Sequence, residues 1–334
     1  MKIVITYDPV LENYQNDESS FINSYHNLVT SSIASALIQS GYQVEIFEAT
    51  TELERHLYEL KPDLVFNTSI KSINGSKYAY APGILENLHI PFTGPSAKAC
   101  TNAYDKLKTT EILKKAGIHT PQALTFSEGN DIRIPVRMNF PLFVKPQRGG
   151  CSRGISSLSL IEAPDEFIER IRAVLYETKQ PVIVEEFLPG REFTVGILGN
   201  QLPRVLPIIE FIYTNKELPF RSYSRKMDNS EIEACVCPAR LNDTERKSIE
   251  NLAASAYKAL ECRDYARVDI RMDSFGNPFI LEVNAIPNLE PEKSSFALMS
   301  NHAGLPFINL IDEIIKSALK RCDLLDSEKV TCRN

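Results

Sequence analysis

The most chemically informative part of the sequence is a pair of segments near its C-terminal end, residues 266–273 and 278–284. Both segments alternate apolar and polar residues with period two, which predicts two β-strands. The residues between them, Ser-Phe-Gly-Asn at 274–277, predict a turn. We therefore expect an antiparallel hairpin that presents acidic, amide and basic side chains together on one face.

If four residues form the turn, Asp269 lies opposite Glu282 and Arg267 lies opposite Asn284. Directly opposed side chains are about 5.5 Å apart at Cβ, and like charges in that position destabilise a sheet. A hard cation removes the conflict, because Mg²⁺ takes one or two carboxylates and completes its shell with phosphates and water. The alternative is a solvated outer face, which the apolar run 279–286 disfavours. The predicted metal ligands are Asp269, Glu282 and Asn284.

A glycine-rich segment, residues 148–154, follows the predicted strand 141–145. Its glycines allow backbone N–H groups to approach an anion closely. The segment lacks the Gly-x4-Gly-Lys-Ser/Thr pattern, which disfavours a P-loop NTPase, and by itself it is equally compatible with a plain glycine turn. Cys151, with no histidine near it in sequence, is more typical of a passive residue than of a nucleophile.

A second segment suited to a nucleotide, residues 182–194, passes from a buried strand into a turn and out again. Such a crossing between domains is a usual place for a flat base. Glu192 is a candidate acceptor for ribose hydroxyls. The alternative is an ordinary edge turn.

Three successive regions must position these residues. The first, residues 1–95, alternates strands and helices and predicts a small parallel sheet. It contains no Gly-x-Gly-x-x-Gly, which argues against a dinucleotide site. The predicted strands are 2–6, 42–47 and 63–67, and the predicted helices are 27–39 and 51–60.

The next two regions are residues 96–186 and 187–321. In the second region, Asn102 is expected to cap a helix over 104–115, and strands 141–145 and 181–187 flank a helix that Pro164 opens. In the third, antiparallel strands precede helices over 244–260 and from Pro306 onward, whose apolar stripes belong to the core. Residues 322–334 are expected to form a mobile tail.

Bulk properties exclude several classes of protein. The chain has 334 residues and a net charge of −6, which argues against nonspecific binding of nucleic acid. No apolar run has the length of a membrane span, and the first residues resemble a strand more than a signal peptide. The seven cysteines are expected to be reduced in the cytoplasm, and Cys235-x-Cys237 does not have the spacing of a zinc site.

Taken in order, the motifs resemble the ATP-grasp superfamily and, most closely, its D-alanine–D-alanine ligase family. The similarity spans nearly the whole chain. It implies an α/β (α+β) fold of three domains, a parallel N-terminal domain at 1–95 and two ATP-grasp subdomains at 96–186 and 187–321, with ATP between the last two. The motifs that carry it are Ile90-Pro-Phe-Thr-Gly94, Asp105-Lys106, Phe140-Pro-Leu-Phe-Val-Lys145-Pro, Glu185-x-Phe-Leu-x-Gly-x-Glu192-Phe-Thr, Cys237-Pro-Ala239, Arg267-Val-Asp269 and Leu281-Glu282-Val-Asn284.

The resemblance also implies roles for individual residues. Arg267 would stabilise phosphate and oxyanion, with Ser152 as a second catalytic residue, and the three metal ligands would hold two Mg²⁺, or Mn²⁺ in their place. Lys106 and Lys145 would hold the phosphates of ATP, and the glycine loop would close over the γ-phosphate. Residues 185–188 would line the adenine, and Glu192 would bind the ribose. A further lysine that reaches the phosphates would be Lys226 or, as the alternative, Arg225. The implied nucleotide-binding residues are Lys106, Lys145, Gly150, Cys151, Ser152, Glu185, Glu186, Phe187, Leu188, Glu192, Lys226, Leu281 and Glu282.

The substrate half departs from the family pattern. Residues 7–20 lack Gly-Gly-x-Ser-x-Glu, residues 67–75 replace the family's His-Gly-x-x-Gly-Glu-Asp-Gly, Cys151 stands at a family serine, and residues 288–294 are altered. We therefore expect a ligase that joins another small carboxylate to an amine through an acyl phosphate, such as a mycosporine-type ligase, and that forms a homodimer. The alternatives are D-alanine–D-alanine ligase itself, an ATP-grasp carboxylase or kinase-like enzyme, and a nucleotide-binding regulatory protein without turnover.

Overall fold

The computed structural model describes residues 1–8, 16–69, 79–129, 131–134, 137–150, 152, 154–213, 220 and 234–324, with residues 16–26 described by their backbone alone. Cys151, Arg225 and Lys226 therefore lie outside the described residues, as do most of residues 67–75 and the tail from 325. None of the helices in these ranges combines the length and the apolar character of a membrane-spanning segment.

The first region forms the parallel sheet that its sequence predicts. Its strands are β1 (Lys2–Tyr7), β2 (Gln43–Glu48) and β3 (Leu64–Asn67), in the order β2-β1-β3. Helix α1 begins at Asn16 rather than at the predicted residue 27. The sequence did carry a signal for the longer helix, because Phe21, Ile22 and Tyr25 continue the helical spacing of the apolar residues that follow. The helices are α1 (Asn16–Gln39), α2 (Leu53–Leu60) and α3 (Tyr80–Asn87).

The second region opens with two helices where the sequence predicts one. Asp105 interrupts the chain in an extended conformation, and its carboxylate accepts hydrogen bonds from the backbone N–H groups of Leu107 and Lys108. The predicted helix over 104–115 is confirmed from Lys106 to Lys115, but its predicted cap at Asn102 is wrong, because aspartate is a strong N-cap and a new helix starts after Asp105. The helices are α4 (Ala97–Tyr104) and α5 (Lys106–Lys115).

Those helices lead into an antiparallel sheet of four strands, in the order β4-β7-β5-β6. The apolar side chains of one face pack against the helix that follows Pro164. Lys145 and Glu185 lie on the opposite face, since they alternate with those apolar residues. The elements are β4 (Ala123–Phe126), β5 (Leu142–Pro146), β6 (Leu160–Ile161), α6 (Phe167–Thr178) and β7 (Val182–Glu186).

The third region is built on a larger antiparallel sheet in the order β11-β10-β8-β12-β13, with β9 on β8. One face buries the apolar residues of β8, β12 and β13 against the long helix α7. The elements are β8 (Glu192–Leu198), β9 (Arg204–Val205), β10 (Ile209–Ile212), β11 (Ala234–Val236), α7 (Asp243–Ala259), β12 (Tyr265–Met272), β13 (Pro278–Asn284), α8 (Ser295–His302) and α9 (Phe307–Arg321).

A buried carboxylate ties the first region to the third. Asp264 is fully buried and accepts hydrogen bonds from Gly94 N at 2.9 Å, Asn200 Nδ2 at 2.9 Å and Arg321 Nη2 at 2.8 Å. Arg321 Nη2 also donates to Phe92 O at 2.7 Å. Because Phe92 and Gly94 follow the first sheet and Arg321 ends α9, this network fixes the N-terminal sheet against the base of the third sheet.

Candidate active site

The acidic hairpin has the predicted register at its functional positions. Asp269 pairs with Glu282, and Arg267 pairs with Asn284. Nearer the turn the pairing shifts by one residue, so that Met272 pairs with Pro278 and Leu281 forms a bulge. The predicted four-residue turn is therefore wrong.

The turn is longer because Asp273 belongs to it. The Asp273 carboxylate accepts hydrogen bonds from the backbone N–H groups of Phe275 and Asn277, both at 2.8 Å, and from the Asn277 side chain at 2.9 Å. An aspartate that satisfies its own turn in this way is a common alternative to strand pairing. The bulge at Leu281 then compensates for the extra turn residue and returns the acidic positions to the predicted register.

A third strand contributes to the same face of the sheet. Strand β8 pairs with β12 so that Glu192 lies opposite Arg271 and Thr194 lies opposite Asp269. The Thr194 hydroxyl donates to Asp269 Oδ1 at 2.5 Å, and Arg271 Nη1 donates to Glu192 Oε2 at 2.8 Å. The candidate ribose residue and the candidate metal ligands therefore occupy one continuous surface.

Asp269 and Glu282 are held in different ways. Asp269 accepts hydrogen bonds from Arg267 Nε and Nη2, both at 3.0 Å, and from Asn284 Nδ2 at 2.9 Å. Glu282 is half-buried and forms no hydrogen bond or ion pair with any residue in the described ranges. One carboxylate is thus oriented by its neighbours, while the oxygens of the other are available to a ligand.

Two buried lysines approach this face from the second region. Lys145 Nζ and Glu185 Oε2 form an ion pair at 2.6 Å, with side chains only 7% and 5% exposed. Lys106 is buried and donates to Gly149 O at 2.8 Å. Burial lowers the pKa of Lys106, and the positive charge of Lys145 lowers it further, whereas the negative charge of Glu282 raises it. Lys106 therefore lies within electrostatic range of Glu282 on the acidic hairpin.

The glycine loop is fixed at its root. The Gln147 side chain donates to both carboxylate oxygens of Asp105 at 2.9 Å, Arg148 Nε donates to Asp105 Oδ2 at 3.0 Å, and Lys106 N donates to Gln147 O at 2.9 Å. One aspartate thus caps α5, places Lys106 and anchors the start of the loop. Gly150 and Ser152 follow in the loop and are both half-buried.

The far end of the loop requires glycine. Gly154 has φ +69°, and an added Cβ would lie 2.5 Å from Pro146 Cγ and 2.8 Å from Thr178 Cγ2. The loop therefore returns against β5 and the end of α6 in a conformation that a side chain would disrupt.

Aromatic side chains gather at the end of the face occupied by Glu192. The Phe143 ring lies 6.1 Å from Phe187 and 4.9 Å from Phe220, measured between centroids, and the Arg271 guanidinium lies 4.6 Å from the centroid of Phe187. Flat apolar surfaces with a few polar groups are typical of a site for a nucleobase.

Part of the backbone in the predicted adenine segment, residues 185–188, already forms hydrogen bonds within the protein. Phe187 N donates to Pro141 O at 3.0 Å, so Leu188 is the better candidate to bind the edge of a base. The Glu186 carboxylate accepts from Asn139 N at 3.1 Å, which directs it to the segment before β5. Leu188 is buried and Leu281 is half-buried at the bulge.

The structure thus connects predicted residues of the second and third regions, through the electrostatic interaction of Lys106 with Glu282 and the contact of the Phe187 ring with Arg271. The sequence analysis gave no role to Arg271 or Gln147, and it quoted Asp105 and Thr194 only as members of motifs. A period-two pattern places Thr194 and Arg271 on the same faces as Glu192 and Asp269. That pattern was the available signal.

Comparisons with known proteins find relatives over most of the chain. The family described as D-ala D-ala ligase C-terminus matches residues 112–316. The D-alanine–D-alanine ligase of Aquifex aeolicus is 34% identical over 285 residues, which cover 85% of this chain and 92% of that protein. An uncharacterized protein, y4sG of Sinorhizobium fredii, is 30% identical over 305 residues, which cover 88% of each chain.

The fold also matches solved structures. The D-alanine–D-alanine ligase of Bacillus anthracis, in a structure complexed with ATP, has a TM-score of 0.74 and 22% sequence identity, and the match covers 97% of this chain and 99% of that one. A second structure of the same enzyme gives a TM-score of 0.73 at 22% identity. At this identity the likeness concerns the fold.

Proposed function

Because the chain belongs to the D-alanine–D-alanine ligase family of ATP-dependent carboxylate–amine ligases, we propose that it uses ATP and Mg²⁺ to join a small carboxylate to an amine, releasing ADP and phosphate. The observation that carries this proposal is the juxtaposition of Asp269 and Glu282 on adjacent strands, facing the buried amine of Lys106. Opposed carboxylates repel each other, and a divalent cation that carries phosphates beside a lysine would remove that repulsion.

The residues present fit Mg²⁺. Asp269, Glu282 and Asn284 offer carboxylate and amide oxygens, which are the ligands that this hard cation prefers, and Glu282 has no competing partner in the described ranges. These three residues would hold the ions. When bound, Mg²⁺ would offset the negative charge of the phosphates and help to orient them.

The protein's own residues would supply the remaining functions. Lys106 and Lys145 would hold the phosphates, the loop that starts at Gly149 would keep water from the acyl phosphate, and Arg267 would stabilise the oxyanion formed when the amine attacks. In this proposal Asn284 and Thr194 keep Asp269 in place while the charge distribution changes. Ser152 and the residues outside the described ranges, Cys151 and Lys226, keep their expected roles in phosphate binding as part of the proposal.

We propose that the product is not D-alanyl-D-alanine. In the first sheet, Asp8 accepts a hydrogen bond from Ser69 Oγ at 2.5 Å and Thr6 Oγ1 donates to Asn67 Oδ1 at 2.8 Å. Asn67 and Ser69 belong to the segment that replaces the family's His-Gly-x-x-Gly-Glu-Asp-Gly. A mycosporine-type or other amino-acid ligase fits these departures. The second candidate is D-alanine–D-alanine ligase itself, favoured by relatives of that name.

The proposal includes the wider organisation. It divides the chain into a domain at 1–95 and ATP-grasp subdomains at 96–186 and 187–321, with the nucleotide between the last two. It also includes a homodimer in the cytoplasm that binds neither nucleic acid nor membranes.

A screen for ADP release tests the proposal. Pairs of amino acids, including D-alanine with itself, and nonstandard carboxylates with amines are offered with ATP and Mg²⁺, and mass spectrometry identifies the product of any active pair. D-alanyl-D-alanine as the preferred product would replace the first candidate by the second, whereas ADP release without an amine would indicate a kinase-like enzyme.

Two variants test the metal site. Asp269→Asn combined with Glu282→Gln is expected to abolish amine-dependent ADP release. Asp273→Asn, which changes an acid of the same hairpin that lies in the turn, is the matched control and should leave it unchanged. Equal activity of all three proteins would refute the assignment of the metal ligands.

A further inference from the structure

Arg271 has the environment of a ligand-binding residue rather than of a structural one. Its side chain is only 4% exposed, and its Nε–H finds no acceptor in the described part of the chain. Buried guanidinium donors are normally satisfied, because an unmade hydrogen bond of a charged group is costly. An unsatisfied donor on a buried guanidinium, beside Glu192 and the Phe187 ring, therefore points to a group that binds there.

The neighbours of Arg271 identify the kind of group. Its Nη1 donates to Glu192 Oε2 at 2.8 Å, and its guanidinium lies 4.6 Å from the ring centroid of Phe187 and 5.9 Å from that of Tyr213. A planar cation against aromatic rings, joined to a carboxylate, presents a flat surface and an oriented acceptor side by side. A nucleoside, with a flat base joined to a ribose, has the matching chemistry.

The position of Arg271 relative to the metal ligands supports this reading. Along β12, Arg267, Asp269 and Arg271 succeed one another on one face, so the guanidinium of Arg271 lies two residues beyond the proposed metal ligand. Successive residues on one face of a strand are about 6.6–6.8 Å apart, which is compatible with the separation between the phosphates and the nucleoside of a bound nucleotide.

We propose that Arg271 is a specificity-determining residue for the nucleotide: its guanidinium orients Glu192 toward the ribose hydroxyls, forms part of the wall against the base, and donates its Nε–H to an acceptor of the nucleoside. This inference rests on the proposed use of ATP and names how the ribose and base are recognised. Nothing in the sequence motifs assigns a role to this position.

The chain offers a matched control in Arg191. Arg191 Nε donates to Glu210 Oε1 at 2.7 Å, and its guanidinium lies 5.0 Å from the ring centroid of Phe193, so it repeats the arginine–glutamate pair and the aromatic contact of Arg271. Arg191 directly precedes Glu192, the first residue of β8, and Glu210 pairs with Phe193, so the Arg191–Glu210 pair belongs to the opposite face of the sheet from Glu192. Arg191→Met therefore shows how far the loss of an arginine–glutamate pair outside the proposed nucleotide site changes nucleotide binding.

The test measures binding rather than turnover. Isothermal titration calorimetry with Mg²⁺ gives the Kd of ATP, 2′-deoxyATP and 3′-deoxyATP for the wild type, Arg271→Met, Arg271→Lys and Arg191→Met. The wild type is expected to prefer ATP over at least one deoxy analogue by about tenfold, the value of one hydrogen bond to a charged group. Arg271→Met should weaken ATP binding by about 10–100-fold and reduce that preference to less than about threefold.

Arg271→Lys guards against misfolding of the methionine variant. It keeps the positive charge beside Glu192 but lacks the planar fork, so it should lose the preference in part. Arg191→Met should retain the wild-type preference. Unchanged preference in both Arg271 variants would overturn the inference, as would equal loss in Arg191→Met. A wild type that binds none of the three nucleotides would instead refute the proposed function, and the inference with it.

Discussion

The carboxylate of Asp264 provides a quantitative test of how the N-terminal sheet is joined to the rest of the molecule. Asp264 has φ +66°, a conformation that asparagine tolerates well, so Asp264→Asn removes the charge without adding backbone strain. The carboxylate accepts from four donors: Gly94 N, Asn200 Nδ2, and Arg321 Nε and Nη2. In the variant, one of these donors must face the new NH₂ group.

The expected loss follows from the burial of this network. Breaking a buried ion pair by removing one partner costs about 3–5 kcal/mol. Arg321 keeps its bond to Phe92 O and its side chain is 21% exposed, so we expect the lower end, about 3 kcal/mol. For a chain of 334 residues the urea m-value is about 3 kcal/mol/M or more, so the loss corresponds to a midpoint lower by up to about 1 M.

The assay is urea unfolding followed by far-ultraviolet circular dichroism. The control is Glu261→Gln, which removes the neighbouring ion pair with Lys98, whose side chains are 60% and 71% exposed, and which should change stability by less than about 1 kcal/mol. A loss below about 1 kcal/mol for Asp264→Asn, or a loss equal to that of the control, would refute the reasoning that this carboxylate joins the two regions.

Three further predictions concern the site and the cysteines. Lys106→Met should raise the melting temperature of the nucleotide-free protein and abolish ADP release. Burial lowers the pKa of Lys106, so the charge of Lys106 lowers the stability of the folded protein increasingly as the pH falls below the pKa of the unfolded state. A melting temperature of Lys106→Met below that of the wild type at pH 7 would contradict this. Gly154→Ala should lower the free energy of unfolding by about 1–3 kcal/mol, because an added Cβ would overlap Pro146 and Thr178. It should also raise the ratio of ADP released to ligated product, measured by chromatography, because water would reach the acyl phosphate. An unchanged ratio would argue against a role of the loop in excluding water. At pH 8 a thiol reagent should modify exposed Cys235 rapidly and Cys262 only upon unfolding, because burial raises the pKa of the Cys262 thiol to about 12; rapid labelling of Cys262, detected by peptide mass spectrometry, would contradict its burial.

Much of the fold could be predicted from the sequence because its signals are local. The alternation of strands and helices in the first region, the apolar stripes of α7 and α9, and the period-two pattern of β12 and β13 all follow from burial of one face. The break at Asp105 could not be located in the same way, since its helix-capping role competes with a continuous helical pattern.

The site was predictable in part for a related reason. The assumed four-residue turn placed Asp269 opposite Glu282, and the structure has this pair. The turn itself is one residue longer than predicted, and the bulge at Leu281 shifts the register back by one residue, so the two differences cancel. Contacts between distant segments carried no sequence signal of this kind. The ion pair of Lys145 with Glu185 and the bond of Arg271 to Glu192 depend on how strands pair, and single-sequence patterns do not encode that pairing.

The most direct test of the central claim is anomalous diffraction from crystals grown with ADP and Mn²⁺. The acidic face predicts manganese peaks within about 2.1–2.3 Å of carboxylate oxygens of Asp269 and Glu282, with Asn284 as a further ligand, and the nucleotide phosphates on the side of Lys106 and Lys145. A bound nucleotide with its metal elsewhere, or with these carboxylates turned away from it, would contradict the account.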